Sequence, residues 1–328
     1  MKKNLNFKYL LVLMAAVMVV GGCNKPKTQK EVTYQVTEEE LSYALPKIGE
    51  AIIMDTKVQA GVKGTITVAT VGSPNTEILQ EAARLMEQKG YFLKIEVCED
   101  YFTPNQLVQE GKVDCNFYQH EAFLERYNIE NGTNLTEMAQ IYYEPLAIYS
   151  EKVDALSDVS QGAVVAVPEN PTALAQALFL LQEKGMLTLM NDADLTAVID
   201  DISENPKELE IVPMPEAEIL EKLGEVDLAI CHTGYKLNLA MDNEDILLTT
   251  EGKETMAARK LSQAIVVSEY PNDNADILTE IMMSTQMQEF IEKTYQGSLY
   301  VMDGKLSDVK VTMEEKAEES AADESAEE

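Results

Sequence analysis

Thr65 to Val71, T-I-T-V-A-T-V, is a β-branched and mostly apolar run, the pattern of a strand covered on both faces. It stops at Gly72-Ser73-Pro74, after which Ile78, Leu79, Ala82, Leu85 and Met86 recur at helical spacing until Gly90. Ser73 is placed to cap this helix and Pro74 to take its first position. Phe92 to Val97 follows as the next strand. The same order recurs farther along, with a strand over Ala163 to Val167, the loop Pro168-Glu169-Asn170-Pro171, a helix over Thr172 to Lys184, and a stop at Gly185.

A second correspondence lies deeper in each half. Q-L-V-Q-E-G-K-V-D precedes C-N-F-Y-Q-H, and E-I-L-E-K-L-G-E-V-D precedes L-A-I-C-H. In both, a short amphipathic helix ends at glycine, a strand begins at Val-Asp, and a histidine closes the strand: His120 in the first half, His232 in the second. In an open α/β sheet, ligands bind outside the carboxyl ends of the strands, so two such halves set face to face bring both histidines to one crevice. The predicted fold class is α/β with two lobes, each a mixed sheet flanked by helices. Lobe 1 is expected over 64–145 plus 265–305 and lobe 2 over 146–264. The hinge is placed near Glu144-Pro145-Leu146-Ala147-Ile148-Tyr149, the return near Ala264-Ile265-Val266-Val267, and one long helix over Ala275 to Tyr295 completes lobe 1.

The two ends of the chain have a different character. Residues 1–22 carry Lys2, Lys3 and Lys8, an uncharged apolar run from Tyr9 to Val20, and Gly21-Gly22, which is the build of a secretory signal and is short for a membrane span. Cys23 follows at once, and Val20-Gly21-Gly22-Cys23 resembles a bacterial lipobox, with Cys23 as the lipid-bearing residue after cleavage. This predicts an extracytoplasmic protein anchored to the cell membrane by lipid. Residues 23–63 read as a polar tether with one short helix over Leu41 to Met54. Residues 306–328 read as an acidic, disordered tail that cannot bury an apolar core.

Charge narrows the partners. The net charge is -31, and loss of the three leader lysines takes it to about -34, which repels phosphate backbones and excludes nucleic acid as a natural partner. Beyond Cys23 there are Cys98, Cys115 and Cys231, an odd number with no C-x-x-C pair, so no disulfide scaffold is expected.

No G-x-S-x-G elbow, H-E-x-x-H helix or glycine-rich phosphate loop is present, so neither an enzyme nor a cofactor is expected. His120, His232, Cys115 and Cys231 are ligand types that suit zinc or copper, and a metal-binding receptor is one alternative. Adjacent Cys231 and His232 are poorly spaced for chelation, however, and Tyr101, Phe117 and Tyr118 suit the walls of an organic ligand's pocket better. His120 alone would read as a core histidine. The aromatic and amide residues beside it, Asn116 among them, and its pairing with His232 point to a pocket.

The motifs G-S-P-N-T-E-I-L from Gly72, E-D-Y at Glu99 to Tyr101, N-F-Y-Q-H at Asn116 to His120, E-P-L at Glu144 and V-P-E-N-P-T at Val167 resemble the NlpA lipoprotein family, the methionine-binding lipoproteins of ABC importers. The resemblance covers about Thr65 to Val301. It implies a type II-like periplasmic-binding-protein fold with a hinge, and a monomer that delivers a small amino acid to a membrane permease driven by a cytoplasmic ATPase. By the same resemblance, Tyr101, Tyr118 and His120 stand where the family holds the methionine side chain. The second lobe departs from the pattern: Gln176 stands where the family has a carboxylate-clamping arginine, Ala173 where it has an asparagine, and His232-Thr233-Gly234-Tyr235 where it has N-G-N-Y. The expectation is therefore an altered ligand, such as a derivatised amino acid, a peptide, or a small amine or thioether, with Gln176 and His232 among its contacts. The other alternative is a surface lipoprotein that keeps the fold as a scaffold or antigen without transport.

Overall fold

A computed structural model describes residues 63–238 and 246–303. The expected signal, Cys23, the tether helix and the acidic tail lie outside them.

Two main sheets organise the chain. The first is built from β1 (Gly64–Thr70), β2 (Tyr91–Val97), β3 (Cys115–Gln119), β4 (Thr136–Tyr143), β12 (Gln263–Val267) and β13 (Tyr300–Val301), in the spatial order β13-β4-β12-β3-β1-β2. The second holds β5 (Leu146–Tyr149), β6 (Val164–Pro168), β9 (Glu210–Met214), β10 (Leu228–His232) and β11 (Leu247–Thr250), in the order β11-β5-β10-β6-β9. β7 (Thr188–Leu189) and β8 (Ile202–Glu204) form a separate ribbon. The chain passes from the first sheet to the second through Glu144–Pro145 and returns through 251–262.

The apolar runs sit where their periodicity places them. In β1, Ile66 and Val68 enter one core, while Ala69 and, just past the strand, Val71 enter another on the opposite face, so the strand is covered on both sides. β1 pairs in parallel with both β2 and β3. Helix α1 (Asn75–Lys89) buries Ile78, Leu79, Ala82, Leu85 and Met86 and ends at Gly90, whose φ of 84° is the left-handed conformation that glycine reaches without strain. Ser73 does not cap it. The helix starts at Asn75 without a side-chain cap, and the Gly72 carbonyl instead accepts from the Thr76 N–H at 3.0 Å and from the Thr76 hydroxyl at 2.7 Å.

In the second sheet, α4 (Pro171–Glu183) follows β6. Asn170 caps it by accepting from the Thr172 and Ala173 N–H groups, and Pro171 fills its first turn, where a missing N–H costs nothing. The single long helix expected over Ala275 to Tyr295 is two, α6 (Asp273–Met282) and α7 (Thr285–Tyr295). Ser284 stands between them in extended conformation and accepts from the Met287 N–H, so a side-chain cap restarts the helix there.

Candidate functional site

The parallel strands β1 and β3 of the first sheet, and β6 and β10 of the second, end in the four segments that the sequence singles out: Gly72 to Asn75, His120, Pro168 to Pro171, and His232 to Gly234.

At the end of β3 the alternation of the strand sorts N-F-Y-Q-H by face. Cys115 and Phe117 point into the core beneath α1, and Phe117 is 0% exposed with its ring edge-on to Tyr142 at 6.0 Å. Tyr118 points to the opposite face, where its ring lies 6.2 Å from Tyr101 and 6.0 Å from Phe123. His120 extends the row, 6.5 Å from Phe123, and Phe102 stands 6.3 Å behind Phe123.

Two devices fix this aromatic wall. Asp100 accepts from the Phe102 and Thr103 N–H groups and from the Thr103 hydroxyl, holding the turn into α2 (Thr103–Gln109), and the Tyr118 hydroxyl donates to the Tyr101 carbonyl at 2.7 Å. Below it lies a buried amide cluster. Asn116 Nδ2 and Gln119 Nε2 both donate to Asn105 Oδ1, at 2.8 and 2.6 Å, and Asn105 Nδ2 returns a bond to Gln119 Oε1 at 3.0 Å.

His120 caps α3 (Glu121–Asn131), its Nδ1 accepting the Phe123 N–H at 3.2 Å. An accepting Nδ1 requires the neutral ring with its proton on Nε2. Burial first, and Arg126 second, push its pKa down to about 4.

The second corner is built differently. Short helix α5 (Glu216–Ile219) places Glu216 against the end of β10, where its Oε1 receives both the backbone N–H and ring Nδ1 of His232 at 2.7 Å. Burial alone would lower the pKa of His232. The charge and hydrogen bond of Glu216, with Glu144 and Glu251 farther out, outweigh it and raise the value to about 9. Burial would likewise raise the Glu216 carboxyl, but His232 holds it below the usual range. His232 is therefore an imidazolium at neutral pH, whereas His120 is not.

Gln176, from α4, is 1% exposed, and both N–H bonds of its amide are engaged: Nε2 donates to the Tyr143 hydroxyl at 2.7 Å and to Glu251 at 2.8 Å. Glu251 also accepts from the Tyr143 hydroxyl at 2.5 Å and from the Leu146 N–H at 2.8 Å. Glu144, on the first crossing, has its carboxyl raised by burial and faces Gly234, whose N–H it accepts. A Cβ at Gly234 would lie 2.5 Å from Glu144 Oε1, so a side chain there would turn the Glu144 carboxyl aside. The buried hydroxyl of Tyr142 donates to Asn75 Oδ1 at 2.8 Å.

Of the residues singled out from sequence, the structure thus gathers Tyr101, Tyr118 and His120 in one wall and sets Asn116 in the amide cluster beneath. Phe117 lies in the core, Gln176 beside Glu251, and His232 on Glu216. Sequence reasoning missed Phe123, three residues after His120 and so folded back over the helix start, and it missed Glu144, Glu216 and Glu251. E-P-L was noted as a motif, but nothing local marks its glutamate as a partner of Gly234. Cys98, Cys115 and Cys231 are free and buried, with Cys231 facing away from its strand neighbours Ile230 and Leu228. No group of three or more His, Cys, Asp and Glu among the described residues is arranged to hold a metal.

Comparison with known proteins shows the family of the chain. The family model for NlpA lipoprotein matches residues 66–302. The methionine-binding lipoprotein MetQ of Bacillus subtilis is 30% identical over 244 residues, 72% of this chain and 88% of that protein. A nutrient binding protein from Burkholderia cenocepacia, solved bound to methionine, matches 73% of this chain and all of its own at 30% identity, with a TM-score of 0.58. A YaeC-family lipoprotein from Enterococcus faecalis matches 73% of this chain and 99% of its own at 27% identity, with a TM-score of 0.64. By its matched length, its two-lobed mixed α/β fold and these relatives, the chain belongs to the NlpA lipoprotein family.

Proposed function

We propose that this protein is the extracytoplasmic, lipid-anchored solute receptor of an ABC importer, and that it captures a small amino-acid-related ligand between lobe 1 (64–145 plus 265–305) and lobe 2 (146–264). Cys23 carries the lipid, and a permease with its cytoplasmic ATPase receives the ligand. The protein itself performs no chemistry.

The observation that carries the reading is the aromatic row Tyr101, Tyr118, Phe123 and His120, braced by hydrogen bonds at the carboxyl end of β3. Rings held at fixed angles around a neutral imidazole suit a flexible thioether side chain, since sulfur packs favourably against aromatic edges. In this reading Asn116 and Phe117 support the wall from below, and His232 closes the cleft from the second lobe. Gln176 acts through Glu251.

A preformed receptor predicts stabilisation by mass action. Ligand at a hundred times its dissociation constant adds about 2.7 kcal/mol, which raises the melting temperature by roughly 5–10 °C for a domain of this size. The test is native mass spectrometry of the mature chain, to identify a co-purifying small molecule, followed by a thermal-shift series of thioether amino compounds. Absence of any shift across that series counts against the receptor.

A further inference from the structure

The aromatic wall is not fully covered. Tyr101, His120 and Phe123 are each half-buried, and Phe102 beside Phe123 is 42% exposed. Arg126 stands on this partly open surface. It lies three positions beyond Phe123 on α3, and its guanidinium carbon sits over the Phe123 ring, 5.5 Å from the centroid. Among the described residues the Arg126 side chain forms no ion pair and no hydrogen bond.

The carboxylates that share its helix are placed elsewhere. Glu121 and Glu125 both pair with Lys260, and the exposed Glu130, four positions on, does not reach it. Acidic residues outnumber lysine and arginine 57 to 26 in this chain, yet Arg126 packs on a ring instead of a carboxylate.

Contact through the face of a ring leaves the N–H donors at the edge of the guanidinium available. Those donors form a rigid fork that matches the two oxygens of a carboxylate. Gln176 has no such capacity, since it is 1% exposed and both hydrogens of its amide go to Tyr143 and Glu251. A ligand that rests an apolar chain on Tyr101, Tyr118 and Phe123 meets the Arg126 fork at the edge of the same surface. We infer that Arg126 receives the carboxylate of the ligand and thereby sets which end-group the receptor accepts. The inference rests on the receptor reading above and adds to it a charged contact on the first lobe.

The test is calorimetric titration of the mature chain, freed of bound ligand by unfolding and refolding, with methionine and with methioninamide. The amide keeps the thioether chain and the amine but has no carboxylate. Methionine should bind at least about tenfold more tightly than the amide. Arg126→Gln should weaken methionine about tenfold or more and leave the amide within about twofold, so that the preference disappears. A merely structural role would weaken both probes alike. That result overturns the inference, as does an unchanged preference in the variant or equal binding of both probes to the unmodified chain, and each leaves the receptor reading standing. Failure of both probes to bind overturns the receptor reading and the inference with it. Where Arg126→Gln does not fold, Arg126→Lys decides, because it keeps the charge and loses the fork. Methionine should then weaken about threefold or more with the amide unmoved, and a change in neither, or in both alike, overturns the inference.

Discussion

His120 and His232 are the only histidines in the chain, and their surroundings push them in opposite directions. His120 is half-buried and neutral with its pKa down at about 4, so its contribution to stability is present above the unfolded value near 6.5 and is lost as pH falls toward 4. His232 is raised to about 9 by Glu216, so its contribution is present below 6.5 and is lost as pH rises through 9. The folded chain should therefore show two imidazole titrations by NMR, one near 4 and one near 9, and Glu216→Gln should move only the second, downward. A pair of ordinary values near 6.5 would refute both assignments. The sequence exposed the two histidines by their position after Val-Asp. It did not expose their opposite protonation, because Glu216 and Arg126 reach them only through helices packed on the strand ends.

At the scale of elements, helix α2 and strand β3 are joined by carboxamides as well as by apolar packing. Asn105, Asn116 and Gln119 are at most 2% exposed and bond one another. Replacing Asn105 by Ala removes the shared acceptor, and each buried amide left unpaired costs about 1–3 kcal/mol. Asn105→Ala should lower the unfolding free energy by about 2–4 kcal/mol in urea, with a change below 1 kcal/mol refuting the role of the network. The elements that could be read correctly beforehand, β1, α1, β6 and α4, are those whose pattern is set by one buried face and a glycine or proline boundary. The misreadings fell where a single polar side chain decides. Ser284 restarts a helix that the apolar spacing carries straight through, and Ser73 leaves uncapped a helix whose first donors the Gly72 carbonyl receives.

At the scale of the whole molecule, Glu251 binds the two crossings together. It follows β11 on the returning segment and accepts from Tyr143 and Leu146, which flank the outgoing one. Glu251→Ala would strand the Tyr143 hydroxyl, the Leu146 N–H and one Gln176 N–H together, a loss of about 3 kcal/mol or more in chemical denaturation. A loss under 1 kcal/mol would mean that the crossings do not depend on it. The two-lobed plan was legible because the βα pattern repeats, and the crossing at Glu144-Pro145 lay where the pattern broke. The tie between the crossings was not legible, since Tyr143 and Glu251 lie 108 positions apart.

The position of β12 bears on how such a chain reaches its folded state. Gln263–Val267 lies between β3 and β4, so the interior of the first sheet is completed by one of the last strands to emerge. The five strands of the second sheet fall within residues 146–250 and are contiguous in sequence. A chain delivered amino-terminus first can close the later sheet before the earlier one, leaving β3 and β4 with open edges in the interval. Pairing across so long a stretch is slow, because closing a long loop costs entropy before its contacts form. The time the first lobe waits for β12 is thus the period in which the folding chain is most exposed to proteases and to edge-to-edge association.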